Sequence, residues 1–149
     1  MEIIIRVVTS DDHDWLLEVV RGWGADFIVT RGRKVYPTEI GGFIAENREI
    51  VGDQCEMVTL DAFEKFSGIG TKLTDAVVRA ARNAGCRRLW LMTTNDNLDA
   101  IRFYQRRSFT LAAVHINALA ESRRLKQAIP EIGQHGIPMR DEIEFELIL

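Results

Sequence analysis

A chain of 149 residues, 46% of them apolar, suffices for one globular domain with a sizeable core, and residues 1–149 read as a single domain. A net charge of −3 leaves no basic footprint for nucleic acid, and no apolar run approaches the ~18 residues of a membrane span. The start MEIIIRVVTSDD lacks the basic opening and cleavage site of a secretory leader, and Cys55 and Cys86 have no metal-ligand spacing, so a cytoplasmic protein with two idle, buried thiols and no metal is expected.

Glu2 to Val8 is rich in Ile and Val and predicts a first strand. Thr9 or Ser10 offers an N-cap, Asp11, Asp12 and Asp14 load a first turn, and Trp15, Leu16, Val19, Val20 and Trp23 recur at helical spacing. Between Gly22 and Gly42, Phe27, Ile28 and Val29 suit a strand, and Arg31, Gly32, Arg33 and Lys34 suit an exposed basic loop. Gly42 to Glu46 predicts a second strand with a turn at Asn47-Arg48. Glu49-Ile50-Val51 then has room for a stub of about 10 Å, turning at Gly52-Asp53, so the third strand is short or missing.

Cys55 to Leu60 predicts the next strand. Gly68 and Gly70 bracket Ile69, and from there the apolar stripe Ile69, Leu73, Ala76, Val77, Ala80 and Ala84 has helical spacing, with Gly85 placed for a left-handed C-cap. Arg88 to Thr94 is nearly continuously apolar, as in a strand covered on both faces. Asn97 caps a short helix carrying Ile101, Phe103 and Tyr104 and ending near Arg107. Phe109 to Asn117 predicts a strand, Leu119 to Ile129 a helix, and Pro130 to Arg140 a loop. In Glu142 to Leu149, Ile143, Phe145, Leu147 and Leu149 alternate with Glu142, Glu144 and Glu146, which predicts a strand with one buried face and a solvated glutamate row.

Chemistry concentrates where the period changes. A strand that feeds a helix through glycines leaves the first N–H groups of that helix uncapped, with the positive end of its dipole behind them, which suits a phosphate. A dinucleotide fingerprint needs a third glycine where Leu73 stands, and a Walker loop needs a glycine where Lys65 stands, so neither spacing fits.

What remains is Lys65-x-x-Gly68-x-Gly70 after a strand, followed by Asn97-x-x-Ala100-x-x-Phe103-Tyr104 and, four residues on, Ser108-Phe109. The pair resembles the R/Q-x-x-G-x-G/A and N-x-x-A-x-x-F-Y-x-x-x-G-F motifs of the GCN5-related N-acetyltransferases (GNAT). Ser108 replaces the motif glycine; in a left-handed conformation it would cost about 1 kcal/mol.

The resemblance implies an α/β GNAT fold: a mixed, twisted sheet with helices on both faces and a splayed central parallel strand pair. It implies acetyl coenzyme A as cosubstrate, with Lys65, Phe66, Ser67, Gly68, Ile69, Gly70 and Thr71 on the pyrophosphate, and Val58, Thr59 and Leu60 beside the pantetheine arm. Asn97 and Ala100 complete the cofactor site, and Asn97 also serves as a plain helix cap. Tyr104 would protonate the departing thiolate, the alternative being a half-buried aromatic of an amphipathic helix.

Glu56, across the strand from Cys55 and Met57, is the candidate base, with a solvent-facing glutamate as the alternative. Asp61 is second choice, and His115 and the glutamate row are weaker ones. The segment Gly22 to Gly42 would help form the acceptor site or be a solvated loop. Arg123, Arg124, Lys126 and Arg140 flank the acceptor end and suit a solvated surface better than an anion site. The expected partner is an amine of a small molecule or peptide, and homodimers through the C-terminal strands are common in the family. The rival expectations are a coenzyme-binding module without turnover, suggested by the stunted third strand, and a nucleotide-binding domain.

Overall fold

The change from strand to helical spacing at Gly68 and Gly70 is the joint between the central strand and the longest helix. The computed structural model describes residues 7–22, 24–30, 32–39, 42–43, 46–51, 53–60 and 68–149. Residues 2–6 of the expected first strand, and Asp61, Lys65, Phe66 and Ser67, lie outside the described residues.

The chain runs α1 (His13–Arg21), β1 (Ile28–Thr30), β2 (Arg33–Val35), β3 (Gly42–Phe43), β4 (Glu46–Val51), β5 (Gln54–Leu60), α2 (Ile69–Asn83), β6 (Arg88–Thr94), α3 (Leu98–Arg106), β7 (Thr110–His115), α4 (Ala118–Leu125) and β8 (Glu142–Ile148). The main sheet has the order β3-β4-β5-β6-β8-β7, and β1-β2 form a separate hairpin. Within the main sheet β5 and β6 pair in parallel, joined by the α2 crossover, and the other neighbours pair antiparallel.

One face of the sheet is an apolar core. Cys55 and Met57 of β5, Leu89 and Leu91 of β6 and Phe145 of β8 pack against Val77 and Ala81 of α2, Tyr104 of α3 and Phe109. Both cysteines are buried free thiols. The α2 stripe ends on Ala81; Ala84 is exposed because the helix has already stopped there, and Gly85 follows at φ +79°. Ser108 is left-handed, at φ +68°, and lets the Phe109 N–H reach the Tyr104 carbonyl at 3.1 Å to close α3.

Several boundaries differ from expectation. Asn47 and Arg48 do not turn: they belong to β4, which pairs with β5 from Val51↔Gln54 to Glu46↔Leu60, so the three-residue stub is a six-residue strand. That removes the argument for a module without turnover. Arg33 and Lys34 pair with Thr30 and Val29 in β2 instead of forming a loop. The α4 helix stops at Leu125, short of Ile129, and beyond it Arg123 donates to the carbonyls of Ile129, Pro130 and Met139.

The glutamate row is the largest correction. Glu142 and Glu144 are buried, because α4 covers the start of β8 and the side chains of Arg88 and His115 cover the rest. The Arg88 guanidinium bonds Glu144 and Glu146, each at 2.6 Å, and His115 Nε2 lies 2.8 Å from Glu144. Burial alone would lower the Arg88 pKa, but the two carboxylates raise it above its ordinary value.

Candidate active site

Strands β5 and β6 are paired only from Gln54↔Arg88 through Cys55↔Leu89 to Glu56↔Trp90. Both continue for four residues more, to Leu60 and Thr94, and among the described residues no rung joins those halves. Each half is held on its far side: Met57, Thr59 and Leu60 pair with β4, and Leu91 to Thr94 pair with β8. The sheet is therefore open at its centre with both banks fixed. Val58, Thr59 and Leu60 form one bank, at the carboxyl end of a parallel strand, where ligands of open α/β sheets bind.

Gly68 caps α2 at φ +82° and supplies no side chain to the first turn. That φ suits glycine, and a Cβ there would meet nothing within 4 Å. Gly70 has a different reason: its Cβ would lie 3.2 Å from the Phe103 ring, so glycine lets α3 pack against the start of α2. Thr71 Oγ accepts from the Arg107 guanidinium, whose Nε is 3.0 Å away. Arg107 also stacks on Phe103, 3.5 Å from the ring centroid, and donates to the Phe103 carbonyl. Desolvation first, then neighbouring Arg106, lowers its pKa. A partly desolvated cation thus stands at the first turn of α2. The sequence reading missed it; the Arg106-Arg107 pair at the end of α3 was the available signal.

Asn97 caps α3 by accepting the Ala100 N–H at 3.2 Å, so the Ala100 amide is already used. Tyr104 is buried, with the rings of Phe103, Phe109 and Phe145 at 5.1, 5.4 and 6.4 Å between centroids. It is a core aromatic whose helix begins at the end of the open strand β6.

Glu56 does not face solvent. It is 2% exposed and reaches the β1-β2 hairpin: Thr30 donates its hydroxyl to Oε1 at 2.7 Å, and Arg33 donates to Oε2. Neither partner is legible in the sequence, because Thr30 and Glu56 stand 26 positions apart.

The basic set divides. Arg123 braces the 129–139 loop, Arg124 pairs with Glu121, and Arg140 pairs with Asp141. Lys126 is half-buried, its pKa lowered by desolvation, and reaches the Phe27 carbonyl. His115 is a hydrogen-bonded member of the Arg88 network. Asp96, 2% exposed, accepts the Gln134 N–H at 2.7 Å, and its Oδ1 has no partner. Among the described residues no three His, Cys, Asp or Glu gather as for a metal ion, and no helix is long and apolar enough to cross a membrane.

The molecule is thus an α/β domain with an anion-ready helix start beside an open pair of parallel strands. The acetyltransferase (GNAT) family model matches residues 53–109, which hold β5, α2, β6 and α3. The uncharacterised protein YdhI of Bacillus subtilis is 44% identical over 121 residues, covering 74% of this chain and 76% of its own. YxbD of the same organism, also uncharacterised, is 33% identical over 131 residues, covering 81% and 82%. A GNAT family acetyltransferase from Elizabethkingia anophelis with acetyl-CoA bound superposes with a TM-score of 0.69 at 21% identity, covering 98% of this chain and 97% of that one. A Bacillus subtilis acetyltransferase in complex with CoA gives 0.67 at 18% identity, covering 99% of each. The chain belongs to the GNAT family.

Proposed function

We propose that this protein transfers the acetyl group of acetyl coenzyme A to an amine of a small molecule or peptide, directly within a ternary complex. The observation that carries this is the interrupted ladder between β5 and β6. The pantetheine arm, which bears amides, replaces the missing strand along Val58, Thr59 and Leu60. The pyrophosphate sits on the amides from Lys65 to Thr71, with Arg107 adding positive charge beside Thr71.

The amine nitrogen attacks the thioester carbonyl, and an N–H of the open β5 edge stabilises the oxyanion. As the C–S bond breaks, the thiolate takes a proton from the Tyr104 hydroxyl, and the tyrosinate takes up the proton released by the amine through solvent, so the products are amide, free thiol and a restored tyrosine. The chemistry needs no metal ion.

Thermal unfolding with acetyl-CoA, CoA, NAD or ATP at equal concentration tests the ligand. A compound at a hundred times its Kd adds about 2.7 kcal/mol, and only the two CoA species should raise the midpoint. An equal shift with NAD or ATP defeats the reading. Free-thiol release is then followed over an amine panel; Tyr104→Phe should lower kcat about 100-fold while keeping the acetyl-CoA shift.

A further inference from the structure

The hairpin β1-β2 has three residues in each strand and belongs to no larger sheet. A two-stranded ribbon of that size does not hold a position alone. It rests on α4, Lys126 reaches the Phe27 carbonyl, and among the described residues the Glu56 carboxylate ties it to the central sheet. Glu56 receives the last residue of β1, Thr30, on one oxygen and the first residue of β2, Arg33, on the other. The tie is made at the last rung before the strands part, Glu56↔Trp90, on the face opposite α2 and α3. The tie therefore sits at the edge of the gap.

We infer that Glu56 is a positioning residue: with Thr30 and Arg33 it latches the β1-β2 hairpin to the cofactor strand and fixes one wall of the acceptor site. The inference rests on the acetyltransfer reading for what the wall encloses. Accepting the amine proton would neutralise the Glu56 carboxylate that holds Arg33 and weaken that ion pair. As a latch it needs no such change. The two sides are unequal: Glu56 is buried and Arg33 is 39% exposed, so removing the arginine takes an ion-pair partner from a buried carboxylate, whereas Glu56→Gln takes one from a cation that already meets solvent. Arg33→Ala should therefore lower the melting midpoint more than Glu56→Gln.

The test compares wild type, Glu56→Gln, Arg33→Ala and Arg33→Lys in three measurements. In amide hydrogen exchange, Glu56→Gln and Arg33→Ala should speed peptides covering Ile28 to Val35 roughly tenfold, with α2 and β6 unchanged. The acetyl-CoA midpoint shift should survive in all. With the amine that turns over best in the panel, KM should rise roughly tenfold with kcat within about threefold and an unmoved pH profile, and Arg33→Lys should recover part of the loss.

Unchanged exchange in the hairpin overturns the latch. So does a kcat loss of about 100-fold in Glu56→Gln at constant KM with a shifted pH limb, which makes Glu56 the proton acceptor. A wild type that acetyl-CoA does not stabilise is a failure of the proposed function instead, and the exchange measurement still decides the anchor.

Discussion

The two faces of the main sheet are built on different physics. On the α2-α3 face, Cys55, Met57, Leu89, Leu91 and Phe145 make a dry, apolar core, and any well-packed apolar residues of similar volume would serve. On the opposite face, Glu56, Glu142 and Glu144 are equally buried but depend on named partners: Arg33 with Thr30, Ser122, and Arg88 with His115. The apolar face carries the helices α2 and α3 that frame the proposed cofactor site. On the charged face a single change has a defined electrical consequence.

The strongest break of the comparison is Phe145→Ala. Phe145 is fully buried among α2, α3 and β6, so truncation should cost about 3–5 kcal/mol in urea unfolding, independent of pH near neutrality. Arg88→Ala attacks the other face. Leaving Glu144 and Glu146 side by side should cost about 3 kcal/mol, and adding Glu144→Gln should recover part of it, which no second change achieves for Phe145→Ala by charge alone. A loss in Arg88→Ala that the second change leaves untouched would mean the side chain acts by packing only.

The smallest effect sharpens the distinction by pH. The Arg140 guanidinium and the Asn117 N–H hold the Asp141 pKa below its ordinary value. A carboxyl with a depressed folded pKa stabilises the fold above its unfolded value, and that stability drains away as pH falls through the folded one. From about pH 4 downward the wild type should therefore lose more stability than Asp141→Asn, as followed by unfolding midpoints across a pH series.

What could be read in advance follows the same division. Strand β5, the glycine turn, α2, β6 and α3 stand out because burial imposes periods of two and 3.6 on apolar residues, and the left-handed Ser108 stands where the family motif has glycine. The charged face is hard to read because alternation looks the same whether Glu144 and Glu146 meet water or Arg88 and His115, and whether Glu142 meets water or Ser122. Asn47 and Arg48 look like a turn by residue type, yet pairing with Thr59 and Met57 decides their conformation. Glu56 was read correctly as lying across the strand from Cys55 and Met57. Its partners came from a hairpin whose three-residue strands carry almost no periodic signal.

Considered as a mechanical object, the sheet is two stiff plates, β3-β4-β5 and β6-β8-β7, riveted by three rungs at one edge. Such a body is weakest in opening about that edge and strong in every direction along its strands. A molecule that bridges the free edges acts as a brace far from the hinge, where leverage is greatest. Occupancy should therefore stiffen the relative motion of the plates much more than it changes either plate, and the damping of that one motion is a signal that a bound cosubstrate would leave even if no side chain moved.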